Sequence, residues 1–106
     1  MEPCYCTFPL VKLFERLELL KEHCRLTKAN YNNAAVMYLH CLNLARLNNS
    51  PGIDLSIRAL EEGLGWSNGR IGVARDILHQ LGFIEMEKRT RGKNGQFGSR
   101  HYKINF

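Results

Sequence analysis

Six basic side chains, Lys88, Arg89, Arg91, Lys93, Arg100 and Lys103, fall within residues 88–106, and that stretch contains no Asp or Glu. Three glycines, Gly92, Gly95 and Gly98, sit in its middle. Ammonium and guanidinium groups on a glycine-bearing segment can follow a row of closely spaced anions. The chain has 15 Lys or Arg against 10 Asp or Glu, so without these six it carries nine against ten, and the whole surplus of +5 sits on this one stretch. A localised basic arm of this kind points to a polyanion partner, most often nucleic acid. The alternative is a solvated loop kept soluble by its charge, although solubility does not require a complete absence of acids.

Other chemistry is thinly represented. Glu61-Glu62 and Glu85/Glu87 read as surface carboxylates on regular elements, and His23, His40, His79 and His101 are scattered. Gly92, Gly95 and Gly98 do not lie between a strand and a helix, so they form no phosphate loop of the nucleotide-binding kind. Nothing here argues for an enzyme or a small-molecule cofactor. The four cysteines, Cys4, Cys6, Cys24 and Cys41, lack the paired two-to-four-residue spacing of a zinc site. A site joining Cys4 and Cys6 to His23-Cys24 and His40-Cys41 is conceivable, but free, partly buried thiols are the expectation, with no metal. A disulfide framework would need an oxidising compartment, which nothing implies.

The elements that must position the basic arm follow from periodicity. At 106 residues the chain is expected to form one domain. Lys12, Glu15, Arg16, Glu18 and Lys21 interrupt its longest apolar run, well short of the ~20 residues of a membrane helix. Met1 to Pro9 do not read as a secretory signal, so a cytoplasmic location is expected. A first helix is predicted from about Pro9 to Arg25, capped by Thr7, with Leu10, Leu13, Phe14, Leu17, Leu20 and Cys24 inward and Lys12, Glu15, Arg16, Glu18 and Glu22 outward. A second, with Thr27 as its cap, carries Tyr31, Ala35, Tyr38, Leu39, Leu42 and Ala45 inward to about Leu47. Asn30, Asn32 and Asn33 cluster in its first turns, so its start can slip.

Asn48-Asn49-Ser50-Pro51-Gly52 breaks the helix, and Ile53-Asp54-Leu55 is a short extended piece. Ser56 caps a third helix with Ile57, Leu60 and Leu64 inward. Gly63-Leu64-Gly65-Trp66 then turns the chain. Ser67 caps a fourth helix, to about Leu81, with Ile71, Ala74, Ile77, Leu78 and Leu81 inward and Gly82 as its stop. Alternation over Phe83 to Lys88 and Arg100 to Phe106 predicts two strands, with Lys93-Asn94-Gly95 as turn chemistry between them. The expected class is α+β: a first helix over 1–26, a helical core over 27–82 and a hairpin over 83–106.

Residues 56–81 have helix-turn-helix spacing, which by itself competes evenly with a plain helical hairpin. The basic hairpin straight after the second of these helices favours the former. With Ser67, Ile71, Ala74, Leu78 and Gly82-Phe83-Ile84, the chain resembles the winged helix-turn-helix DNA-binding domains. The segment RTRGKNGQFGSRHYKI is similar to the wings of replication initiators of bacterial phages, plasmids and mobile elements. The resemblance covers about residues 26–106, and transcriptional regulators share the scaffold.

What the resemblance implies is double-stranded DNA binding, in replication initiation or transcription regulation. A protein-interaction domain docking an acidic partner is the rival. Ser67, Asn68, Gly69, Arg70, Val73 and Asp76 are expected on the outward face of the recognition helix, with Arg70 suited to guanine O6 and N7 and Asn68 to adenine or a phosphate. In the wing, Lys88, Arg89, Arg91, Lys93, Asn94 and Arg100 are expected along the phosphates, which position without specifying sequence. Phe97 either folds back on the domain or meets the sugar or base. Arg75 is placed at the core edge with a carboxylate. The first helix is expected to bury its stripe within the monomer, or else to pair with a second copy as a homodimer. The chain stops just after the return strand, as a module of a longer protein would.

Overall fold

The computed structural model describes residues 9–87 and 100–106. Within them the order is α1 (Leu10–Thr27), α2 (Tyr31–Asn48), β1 (Gly52–Leu55), α3 (Ile57–Leu64), α4 (Asn68–Gln80), β2 (Ile84–Met86) and β3 (Arg100–Ile104). This is an α+β globule of four helices and a three-stranded antiparallel sheet among the described residues, as the class expected from periodicity requires.

Local chemistry sets the boundaries. α1 begins after Pro9, which holds the N-cap position without a side-chain hydrogen bond; the cap expected at Thr7 lies outside the described residues. α2 starts later than expected, because the cap is Asn30, whose Oδ1 accepts the Asn33 N–H at 3.1 Å. Thr27 instead closes α1, donating its hydroxyl to His23 O at 2.9 Å. Lys28, at φ 56°, takes the left-handed turn between the two helices. Ser56 and Ser67 cap α3 and α4 as expected. The end of α4 is a Schellman motif: Phe83 N–H reaches Leu78 O at 3.0 Å and Gly82 N–H reaches His79 O at 3.0 Å. Gly82 sits at φ 74°, where a Cβ would be strained.

The sheet order is β1-β3-β2, so the early extended piece pairs with the last strand. Ile53 faces Tyr102 and Asp54 faces His101 across one seam, while Glu85 faces Lys103 across the other. Ile53, Leu55, Ile84, Tyr102 and Ile104 point to one side and meet Leu60, Ile71, Ala74 and Leu78 from the helices. Asp54, Glu85 and Lys103 stay in water on the other side. α2 runs through the centre, burying Ala34, Met37, Tyr38, Cys41, Leu42 and Ala45; Leu39, expected inward, is exposed.

Tyr38 ties the halves together. Its hydroxyl donates to Asn105 O at 2.7 Å and its ring lies 5.0 Å from that of Phe83. Asn105 in turn donates its N–H to Phe83 O at 2.9 Å and its Nδ2 to Gly82 O at 2.8 Å. The return strand is thereby fastened to the exit of α4.

α1 departs from expectation most. Leu20 and Cys24 are buried and Leu13 and Leu17 half-buried, but Leu10 is 67% exposed and Phe14 62% exposed. The helix is rotated so that Arg16, expected outward, is half-buried, while Lys12 stays exposed. Lys12 Nζ stands 5.0 Å from the Phe106 ring centroid, and the Arg16 guanidinium 5.4 Å from that of Phe83. Cations over aromatic faces replace apolar packing on that side, their stems covering apolar surface. Leu10 and Phe14 are left in water as a result.

Candidate nucleic-acid interface

The first turn of α4 is where the expected reading residues come together. Ser67, Asn68, Gly69, Arg70, Val73 and Asp76 are all exposed, on the side opposite the buried Ile71, Ala74, Ile77 and Leu78. The Ser67 hydroxyl accepts the Arg70 N–H at 3.4 Å, so the capped turn presents its remaining amides outward. Among the described residues nothing lies within 4 Å of where a Cβ at Gly69 would stand.

Arg70 is held from two sides. Nε donates to Asn33 Oδ1 at 3.1 Å and Nη2 donates to the same oxygen at 2.8 Å. The guanidinium carbon sits 4.1 Å from the centroid of the Trp66 ring. Asn33 belongs to the first turn of α2 and is itself set by the Asn30 cap. Trp66 is half-buried against the core, immediately before the Ser67 cap. Two helix N-termini thus converge on one guanidinium. Only its Nε–Nη2 edge is taken by Asn33; the terminal Nη1–Nη2 edge is not used by this contact.

Asn33 and Trp66 are the residues that sequence reasoning missed. Asn33 is noticed there only as one of three asparagines at a helix start, and Trp66 only as part of a turn. The available signal was a cluster of polar side chains at 30–33 in excess of what a single cap requires.

Among the described residues Arg75 meets a phenol and not a carboxylate. Its Nη1 lies 3.5 Å from Tyr102 Oη, because the neighbouring strand offers a phenol there, and its Nε is buried without a partner among the described residues. Arg100, expected on a phosphate, begins β3 on the core-facing side. It is half-buried and donates Nη1 to Met86 Sδ at 3.4 Å. Lys88, Arg89, Arg91, Lys93, Asn94 and Phe97 lie outside the described residues. The strands that flank them, β2 and β3, pair antiparallel, as the two arms of the expected hairpin must.

The outer face of the sheet is an ionic surface. His101 Nδ1 is 2.8 Å from Asp54 Oδ1, and Lys103 Nζ is 3.7 Å from Glu85 Oε2. The His101 ring lies over Gly52 so closely that a Cβ there would stand 2.9 Å from its Nε2. Both pairs are partly solvated and belong to the weak class of surface pairs.

The thiols are buried groups. Cys24 and Cys41 are free, and burial raises both, Cys41 up to about 12. Burial also raises the Tyr38 phenol to about 12 and lowers His40 from its ordinary value. Among the described residues no three His, Cys, Asp or Glu gather as metal ligands, and no helix is long and apolar enough to cross a membrane. Cys4 and Cys6 lie outside the described residues.

A scan against protein-family models, a search of curated proteins and a search of solved structures each return no match for this chain.

Proposed function

We propose that this chain is a winged helix-turn-helix domain that binds double-stranded DNA, with α4 in the major groove and the basic hairpin between β2 and β3 along the phosphates. One observation carries the reading: the exposed, capped first turn of α4, with Arg70 on its surface, is followed after a Schellman stop by the strand pair whose connection carries Lys88, Arg89, Arg91 and Lys93. α3 braces α4 across the Gly65 turn, which is the role of the first helix in such a unit. A function in replication initiation of a mobile element rests on the wing's resemblance alone, and transcription regulation shares the same physics.

The test is a titration of mixed-sequence duplex with the full chain at low salt. Binding tighter than ~10⁻⁴ M is expected, with a log–log salt slope of roughly −2.7 if Arg89, Arg91 and Lys93 each neutralise one phosphate. Weaker binding than that floor sinks the proposal. Replacing Arg91 and Lys93 together with alanine weakens all sequences alike, whereas Arg70→Ala blurs preference at one base pair.

A homodimer through α1 is the second proposal. Exposed Val11, Phe14 and Leu19 supply apolar surface for it. Glu15, Glu18 and Glu22 share that face, so a symmetric pairing of the helix must keep like carboxylates apart.

A further inference from the structure

We infer that Asn33 and Trp66 hold Arg70 as a pre-ordered reader of a single guanine, so that α2 as well as α4 determines the sequence this chain selects. The inference rests on the DNA-binding reading and deepens it, naming the base and the residues that fix its reader.

An arginine on a helix surface samples many rotamers, and ordering it on binding costs conformational entropy. Here most of that ordering is already in place. The Trp66 ring defines the plane of the guanidinium, at 4.1 Å from its centroid. Asn33 Oδ1 defines its rotation within that plane by accepting from both Nε and Nη2. Asn33 is fixed in turn by its place in the capped first turn of α2, and Trp66 by packing against the core.

The edge left over is the chemically decisive one. A guanidinium presents donors in pairs along its edges, and the Nε–Nη2 pair is occupied by Asn33. The Nη1–Nη2 pair offers two parallel N–H donors, and guanine presents two acceptors, O6 and N7, at matching separation on its major-groove edge. Adenine replaces O6 with an amino donor and would leave one N–H opposed to another. The held fork therefore discriminates by geometry that exists before DNA arrives. Asn33 is a positioning residue; it acts on the base through Arg70.

The experiment first selects bound duplexes from a random-core library with the full wild-type chain. Fixed duplexes are then titrated that differ only at the base pair whose preference Arg70→Ala abolishes. For wild type, guanine at that position is expected to be preferred on the order of ten-fold or more. Asn33→Ala should erode that preference several-fold while leaving affinity for mixed-sequence duplex and the denaturation midpoint unchanged. Asn33→Asp, which keeps the acceptor, should retain the preference and weaken every duplex alike by its charge. In the Arg70→Ala background, Asn33→Ala should add nothing.

Full preference retained in Asn33→Ala overturns the inference while leaving the DNA-binding reading intact. So does an equal loss from Asn33→Ala in the presence and absence of Arg70, or a preferred base other than guanine. Failure of every duplex to bind overturns the DNA-binding reading, and this inference with it. A readout without DNA is the solvent exchange of the Arg70 Nε–H by nitrogen NMR, slowed in wild type and fast in Asn33→Ala; equal exchange in the two shows that no brace exists.

Discussion

Helices α4 and α1 each bury one face, yet what they leave in water differs. α4 leaves Asn68, Arg70, Val73 and Asp76, with its first turn capped by Ser67 and its arginine fastened to a second helix. α1 leaves Leu10, Val11, Phe14 and Leu19, and begins at Pro9 with no side-chain cap. Arg70 on α4 is ordered by contacts inside the chain, whereas apolar groups on α1 have no partner among the described residues. The ordered arginine on α4 is what the proposed DNA reading uses, and the apolar face of α1 is what the proposed homodimer would cover.

The comparison can be broken most forcefully through the buried seams. Leu78→Ala in α4 and Leu20→Ala in α1 both remove fully buried side chains. Each is expected to cost about 2–5 kcal/mol in denaturant unfolding. If α1 were only loosely attached, Leu20→Ala would fall far below that range.

Next in size is the loss of a helix cap. Ser67→Ala removes the acceptor of the Arg70 N–H and should cost about 0.5–2 kcal/mol, while Gly at the same position costs only a few tenths. The same variant should weaken duplex binding if the α4 amides meet a phosphate.

Acid and alkali probe the core beneath both helices. Burial lowers His40 in the folded chain, so the unfolded chain binds the proton first, and stability should fall as pH drops through the ordinary imidazole value. Denaturation midpoints across that range should flatten in His40→Gln. Tyr38 is raised to about 12, so the unfolded chain loses its proton first and stability should fall as pH climbs above the ordinary phenol value of about 10. Tyr38→Phe should remove this alkaline loss. By the same burial, Cys41 should resist alkylation at mild alkaline pH until the chain unfolds; rapid labelling of the native protein would contradict its placement.

The smallest effect is expected on the outer face of α1. Phe14→Ser replaces a side chain that is 62% exposed and should shift stability by no more than about 0.5 kcal/mol in a monomer. A larger loss that shrinks on dilution, with a wild-type dimer in sedimentation that the variant lacks, would identify the face as a dimer contact.

Much of this architecture is legible in residue order because it is local. Ser56 and Ser67 before apolar stripes, Gly82 after one, and Asn48 to Gly52 between two helices act within a turn of themselves. The class and the outward set on α4 followed from these. The rotation of α1 was not legible. Leu10, Leu13, Phe14 and Leu17 fit one stripe by spacing, and only the positions of Phe106 and Phe83 set Lys12 and Arg16 beside aromatic rings. The start of α2 escaped for a similar reason, since Thr27 and Asn30 are both competent caps and the left-handed turn at Lys28 selects between them.

By itself, the sequence determined the number and type of elements, the outward residues of α4, and the concentration of charge in residues 88–106. Those properties depend on side-chain type and on periods of two and 3.6 residues, which the chain carries everywhere along its length. Only the tertiary structure decided that β1 pairs with β3, that Asn105 fastens to Gly82, Phe83 and Tyr38, and that Asn33 reaches Arg70. Contacts between residues far apart in the chain require two faces to meet at a particular rotation and register. Periodicity names the face and leaves the rotation to packing.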